Sequence, residues 1–321
     1  MFVLLALASR AASAQETGVA LRRDRAEFQV TVTDGTSTYP ATVVGYLYYL
    51  GTFNNRPLQV LVHGATYNHS YWDFPTINGQ DYSYARYMAQ RGYAVLAIDQ
   101  LGAGESSKPA DVSMTGTVTA LHGVLQQLRT DTNPFGYAFE EIALVGHSAG
   151  SANVVLLKSL WPADADVIVA TGFRHLPLPI PADLMNLALY IASLPGTYFY
   201  IPEPSRTALF HYPAGADPDV LQYDRDTQDQ WTEGQLFTTF MSFFFPALTG
   251  VGAVTGPALL QLGEFDALFP WTDPASEVAL WTSTSLDVQL LPGVGHDFNL
   301  HLRNEEGWRG IDEWLKGALK K

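Results

Sequence analysis

Two rhythms of apolar and polar positions run along this chain. Eight runs rich in β-branched and aromatic residues, at 27–33, 41–50, 58–63, 93–99, 141–146, 166–171, 257–262 and 286–291, predict strands. The first two are separated by Asp34-Gly35-Thr36-Ser37, a turn signal, and are expected to form an antiparallel hairpin at a sheet edge. The other strands alternate with segments of helical period. Tyr84, Tyr87 and Met88 share one face of a helix that Gly92 can end, and Val118, Leu121, Leu125 and Leu128 repeat at helical spacing in the next. Near the C-terminus Trp308, Ile311, Leu315 and Leu319 form an apolar stripe, with Arg309, Asp312, Glu313 and Lys316 expected to face away. Continuous apolar strands between amphipathic helices imply a mostly parallel sheet covered on both faces, an α/β fold.

The alternation stops between residues 172 and 250. That stretch holds 9 of the 19 prolines and 14 of the 40 aromatic residues, and it is expected to be an insertion lying over the sheet as a cap. The expected organisation is therefore a probable signal peptide at 1–14, one core domain made of 15–171 and 251–321, and a cap at 172–250. The first segment is assigned on Phe2-Val3-Leu4-Leu5-Ala6-Leu7-Ala8, an apolar run too short to span a bilayer, followed by the small-x-small site Ala12-Ser13-Ala14. It resembles a secretory signal, although no basic residues precede the apolar run, and it predicts secretion. No later apolar stretch is long enough to cross a membrane: the longest, 184–194, has 11 residues and includes Asn186 and Ser193.

Charge and composition narrow the chemistry. With 18 basic and 32 acidic residues the net charge is −14, which disfavours nucleic acid and anionic membranes as partners. Zero cysteines exclude disulfides, thiolate zinc sites and a cysteine nucleophile, so any chemistry must come from serine, histidine and carboxylates.

Gly146-His147-Ser148-Ala149-Gly150 follows a predicted strand and opens a helical run, the strand-turn-helix setting that a G-x-S-x-G nucleophile elbow requires. A serine hydroxyl needs a base, and the base needs an orienting acid. Asp266, in Gly263-Glu264-Phe265-Asp266, and His296, in Gly295-His296-Asp297, each follow an apolar strand on its C-terminal side. Loops at the carboxyl ends of parallel strands converge, so the two are expected to meet Ser148 above the sheet. Glu264 and Asp297 lie close enough in sequence to compete with Asp266 as the acid. The order Ser, Asp, His resembles that of the α/β-hydrolase superfamily from about residue 27 onward. Leu61-Val62-His63-Gly64-Ala65-Thr66 is similar to its H-G-x loop, which implies an oxyanion hole of the Ala65 and Ala149 amides. Asp99-Gln100-Leu101-Gly102-Ala103-Gly104-Glu105-Ser106 is similar to its D-x-x-G-x-G-x-S loop, which shapes the end of the sheet.

The resemblance implies an α/β-hydrolase fold and acyl transfer without cofactor or metal. A serine at the elbow excludes the relatives that open epoxides or remove halide, which use aspartate there. The favoured substrate is a small apolar carboxylic ester. A lactone, an amide or a carbon–carbon bond beside a carbonyl would use the same residues, and a binding protein that keeps the fold is the alternative from another class. Tyr67, Trp72, His147 and Phe244 are the candidate substrate contacts, drawn from the aromatic crowding after the oxyanion loop and in the cap. His69, His122, His175, His211 and His301 show no spacing that suggests a metal site.

Overall fold

The computed structural model describes residues 20–178, 182–193, 197–271 and 274–319; the signal-like run at 1–14 lies outside them. Eight strands, β1 (Leu21–Asp34), β2 (Ser37–Leu50), β3 (Leu58–Val62), β4 (Ala94–Ile98), β5 (Ile142–His147), β6 (Val167–Thr171), β7 (Ala258–Gly263) and β8 (Leu286–Leu291), form one sheet. Their order is β1-β2-β4-β3-β5-β6-β7-β8. β2 runs antiparallel to both its neighbours, and every pair from β4 to β8 is parallel. The hairpin turns on Gly35 and Thr36, with Asp34 opposite Ser37.

The apolar runs of the inner strands feed two cores at once, because successive side chains alternate between the faces. Leu58, Val60 and Val62 of β3 face one core with Ile142 and Leu144 of β5, while Leu61, Ala143 and Val145 face the other. The first core is closed by α2 (Met114–Leu128) and α3 (Ala149–Leu160). α1 (Tyr84–Gln90) and α9 (Asn304–Ala318) close the second, through Tyr84, Met88, Trp308, Ile311 and Leu315. Asp312 departs from its expected outward position. It is buried, takes a hydrogen bond from Tyr93 Oη at 3.2 Å and pairs with Lys316 Nζ of its own helix at 2.7 Å, so helical period alone misplaced a residue that Tyr93, on another segment, draws inward.

Between β6 and β7 the chain makes helices α4 (Ala182–Ala192), α5 (Ser205–Phe210), α6 (Pro218–Thr227) and α7 (Glu233–Phe244). Local signals fix their starts. Pro218 occupies the first turn of α6 behind the Asp217 cap, and Thr232 and Gln235 form a capping box on α7. The prolines that hid a helical rhythm therefore begin helices as well as break them. A short α8 (Pro274–Val278) follows β7. No helix among the described residues is long and apolar enough to cross a membrane.

Backbone packs tightly against backbone where β5 enters α3. A Cβ at Gly146 would come within 2.6 Å of the Gly150 carbonyl oxygen and of Ser151 Cα, and one at Gly150 within 2.3 Å of the Val62 carbonyl oxygen. Backbone on both sides leaves nothing flexible to yield. Gly150→Ala should therefore destabilise the fold by about 3 kcal/mol through overpacking, lowering the thermal midpoint by roughly 5 °C or more. A melting curve superimposable on the parent's would show that the elbow has slack.

Candidate active site

Ser148 sits between β5 and α3 with φ 54° and ψ −121°, a backbone conformation that a residue with a side chain adopts only when its surroundings hold it there. They do so by hydrogen bonds as well as by sterics. The Ser148 amide donates to the Thr171 carbonyl at 2.8 Å, and Ser151 Oγ donates to the same oxygen at 2.9 Å. Ala149 is the first residue of α3, so its amide belongs to the N–H groups that the helix cannot pair internally. Ala65 stands on the loop leaving β3, between Gly64 and Thr66, and it lines the same cavity as Ser148 and Ala149. An oxygen carrying developing negative charge beside Ser148 would face amide donors from both loops.

His296 lies on the loop after β8. Its Nδ1–H donates to Asp266 Oδ2 at 2.9 Å. The other Asp266 oxygen accepts the Leu268 and Phe269 amides at 2.9 and 2.8 Å, which fixes the carboxylate. Two backbone bonds hold the loops together, from the Glu264 amide to the Leu291 carbonyl and from the Phe265 amide to the Val294 carbonyl, both 2.9 Å. The competing acids are committed elsewhere. Glu264 is exposed and accepts the Gly293 amide, while Asp297 pairs with His147. His296 Nε2 is buried and has no hydrogen-bond partner among the described residues, Ser148 Oγ included. The rings of Phe210 and Phe269 lie 5.5 and 5.6 Å from that of His296 and also wall the cavity onto which Ser148 opens. The two phenylalanines thus stand between the cavity of Ser148 and the imidazole, whose Nε2 is unengaged.

That cavity, of about 80 Å³, has room for several waters or a short apolar group. Apart from Ser148 its walls are almost wholly apolar: Leu176, Leu184, Ala188, Ile201, Leu209, Trp231, Leu236, Phe240, Phe243 and Leu268 complete them, most contributed by the insertion. A larger hollow of about 650 Å³ lies at the amino ends of β3–β5, beside Pro57, Tyr93 and Glu141, at the opposite end of the sheet from Ser148. Ligands of open parallel sheets sit outside the carboxyl ends, where the smaller cavity is.

None of the four expected substrate contacts lines the cavity, which corrects that expectation. Tyr67 turns its hydroxyl onto the carboxylates of Asp224 and Asp297, each 2.6 Å away. Trp72 packs into the second core, its ring 5.1 Å from Tyr71 and 5.3 Å from Tyr84. His147 is fully buried, stacked on Tyr71 at 4.5 Å. Phe244 lies one residue, or about 100°, further round α7 than Phe243, and it packs against Phe240 at 5.2 Å instead of facing the cavity. The aromatic signal in 243–245 was sound, but a sequence run does not reveal which of its members points inward. Arg206, His211 and Asp224 converge behind the site with Asp297, which the sequence offered only as a competing acid; their convergence left no sequence signal because it depends on how the insertion packs.

Among the described residues, two groups bring ligand atoms close enough for a metal ion: His147, His296 and Asp297, and His211, Asp224 and Asp297. In both the donors already pair with each other, His147 Nε2 with Asp297 at 3.0 Å and His211 Nε2 with Asp224 at 2.9 Å. The Arg206 guanidinium on Asp224 further disfavours a cation in the second.

The sequence matches the alpha/beta hydrolase family over residues 59–307. The chain belongs to that family. Solved structures of the same fold include a monoacylglycerol lipase from Paleococcus ferrophilus, with 18% identity and a TM-score of 0.63, covering 93% of this chain and 100% of that one. A thermophilic esterase from Thermogutta terrifontis aligns with 17% identity and a TM-score of 0.62, over 91% of this chain and 99% of its own. The 2-hydroxy-6-oxo-6-phenylhexa-2,4-dienoate hydrolase of a Rhodococcus species does so with 18% identity and a TM-score of 0.62, over 91% and 99%. At these identities the likeness establishes the shared fold. No curated protein matches the sequence.

Burial opposes the charged form of His296, but the charge and hydrogen bond of Asp266, with the Asp297 charge behind them, outweigh it and raise the imidazole above its ordinary value. An imidazolium cannot accept a proton, so activity that depends on His296 should fall on the acid side with a midpoint above ~6.5. The pH profile of kcat/KM reads this directly, and a midpoint clearly below that value would contradict the electrostatics of the pair.

Proposed function

We propose that the protein is a serine hydrolase that cleaves carboxylic esters of apolar substrates through an acyl-enzyme, with residues 172–250 serving as its cap. The observation that carries this reading is a buried Asp266–His296 pair, its Nε2 unengaged, packed against the two phenylalanines that also wall the cavity lined by a serine on a strained elbow. Ser148 would attack the ester carbonyl while His296 takes its proton. The Ala65 and Ala149 amides would hold the oxyanion of the tetrahedral intermediate, His296 would return the proton to the departing alkoxide, and water would repeat the sequence on the acyl-enzyme. Every group required is supplied by the chain itself.

The experiment is turnover of p-nitrophenyl esters by the parent and by Ser148→Ala, which fits the same turn. Loss should approach a millionfold if the three side chains act as a unit. Retention of more than a few per cent of activity in a clean preparation would remove Ser148 from the role of nucleophile. A parallel panel of lactones, amides and carbon–carbon substrates reads the bond type, and a single slow acylation without turnover would indicate a binding protein.

The apolar walls support the choice of substrate. Groups buried against Phe240 and Phe243 gain about 25 cal/mol per Å², whereas a carboxylate would be desolvated with no cationic side chain on the cavity wall to meet it. Catalytic efficiency is expected to rise from acetate towards longer acyl or aromatic esters, to drop for substrates carrying a free carboxylate, and to lose this slope in Phe240→Ala. A slope that is flat in the parent, or unchanged in the variant, would mean that the insertion does not form the binding wall.

A further inference from the structure

Behind the candidate site a second charged assembly is buried, and it joins three parts of the molecule that the sequence keeps apart. Arg206 of α5 grips Asp224 of α6 with Nε and Nη2, both bonds 2.8 Å, and its Nη1 reaches Thr66 Oγ1 of the oxyanion loop at 2.7 Å. Tyr67, next on that loop, places its hydroxyl 2.6 Å from Asp224 Oδ1 and 2.6 Å from Asp297 Oδ2. Asp297 follows the candidate base directly, and its other oxygen accepts the Nε2–H of His147 at 3.0 Å. The His147 ring lies 4.9 Å from that of His296. All these groups are buried, and all except Thr66 are charged or titratable side chains.

One tyrosine hydrogen faces two carboxylates, so the assembly is stable only if each keeps another partner. Asp224 has its own cation in Arg206, which together with His211 outweighs the cost of burial and holds the carboxyl below the usual range. Asp297 has no such cation. Burial opposes its charge, and the His147 hydrogen bond with the charges of His211, His147 and His296 overcomes that cost. His301 meets Asp297 at the backbone carbonyl and not at the carboxylate, with Nδ1 at 2.8 Å, while its Nε2 accepts the Tyr212 and Gly295 amides, both at 3.0 Å. Asp297 is thus a buried negative charge, with a carboxylate oxygen within 4.8 Å of a ring nitrogen of His296.

We propose that Asp297 is a positioning residue for the base: held by Tyr67 and by the docked insertion, it fixes His147 against His296 and favours the imidazolium that His296 becomes during proton transfer. The role rests on the hydrolase reading above, in which His296 is the base. It also makes a docked insertion part of the base's electrostatics, since Arg206 and Asp224 both come from it.

The test uses Asp297→Asn, which keeps an acceptor for His147 and removes the charge, Tyr67→Phe, and the double variant. Without the Tyr67 hydroxyl the two carboxylates face each other unscreened, and Asp297, lacking a cation, takes up the proton. Both single variants should therefore behave alike: kcat falls about tenfold, KM holds, and the acid midpoint of kcat/KM moves down by about one pH unit. The double variant should be no worse than Asp297→Asn alone, because both changes act through one charge. Ring-proton NMR of His296 in the full chain follows the same midpoint without substrate. A midpoint unmoved in either folded variant, or losses that simply add, would reduce the assembly to a structural one. If the NMR midpoint moves while the parent turns over no ester, the positioning role stands and the esterase reading falls.

Discussion

The molecule is organised around the approach of α3 to β5 and β3 at the elbow, where backbone meets backbone across Gly146 and Gly150 with no room for a Cβ. The same contact that forces Ser148 into a positive φ presents its side chain at the carboxyl end of the sheet and leaves the Ala149 amide at a helix start. It also seats Gly150 on the Val62 and His63 carbonyls, which fixes the origin of the loop carrying Ala65. The positions of Ser148, Ala149 and Ala65 thus derive from one steric constraint, and the Thr171 carbonyl, accepting from Ser148 and Ser151, ties the end of β6 to it.

His296 and Asp266 are placed by a different device. Parallel pairing of β7 with β8, Gly263 opposite Leu291, makes their two exit loops neighbours, and backbone bonds between the loops carry that register outward to Asp266 and His296. The carboxylate is then pinned by two amides of its own loop, so the imidazole is oriented by a group that itself has little freedom. Enclosure by Phe210 and Phe269 lowers the local dielectric, which strengthens the pair's electrostatics and explains why Asp266 overcomes the cost of burying His296.

The insertion is fastened by charge as much as by apolar contact. A buried ion pair such as Arg206–Asp224 contributes little net stability against an apolar equivalent, because desolvation offsets the attraction. It does penalise any docking that leaves one partner alone. With Thr66 and Tyr67 as its receivers on the core, the pair selects one seating of the insertion, and that seating closes the apolar cavity over Ser148.

The sequence alone determined the eight strands, the edge hairpin, the elbow and the Ser148, Asp266, His296 order, because each is written in local terms: β-branched runs, a turn pair, glycines two residues either side of a serine, and loops that follow strands. It also limited the acid to three nearby carboxylates. Only the tertiary structure showed that Asp266 faces His296 while Asp297 turns to His147, since adjacent residues on a loop diverge according to the bonds their neighbours offer. The same holds for Phe243 over Phe244 and for the burial of Asp312. The Arg206, Asp224, Tyr67 and Asp297 assembly was invisible because its members are separated by up to 230 residues, and Tyr67 and Asp297, singled out one by one, gave no hint of each other. Local pattern encodes elements and the loops between them, whereas the partners of a buried charge are set by which elements pack together.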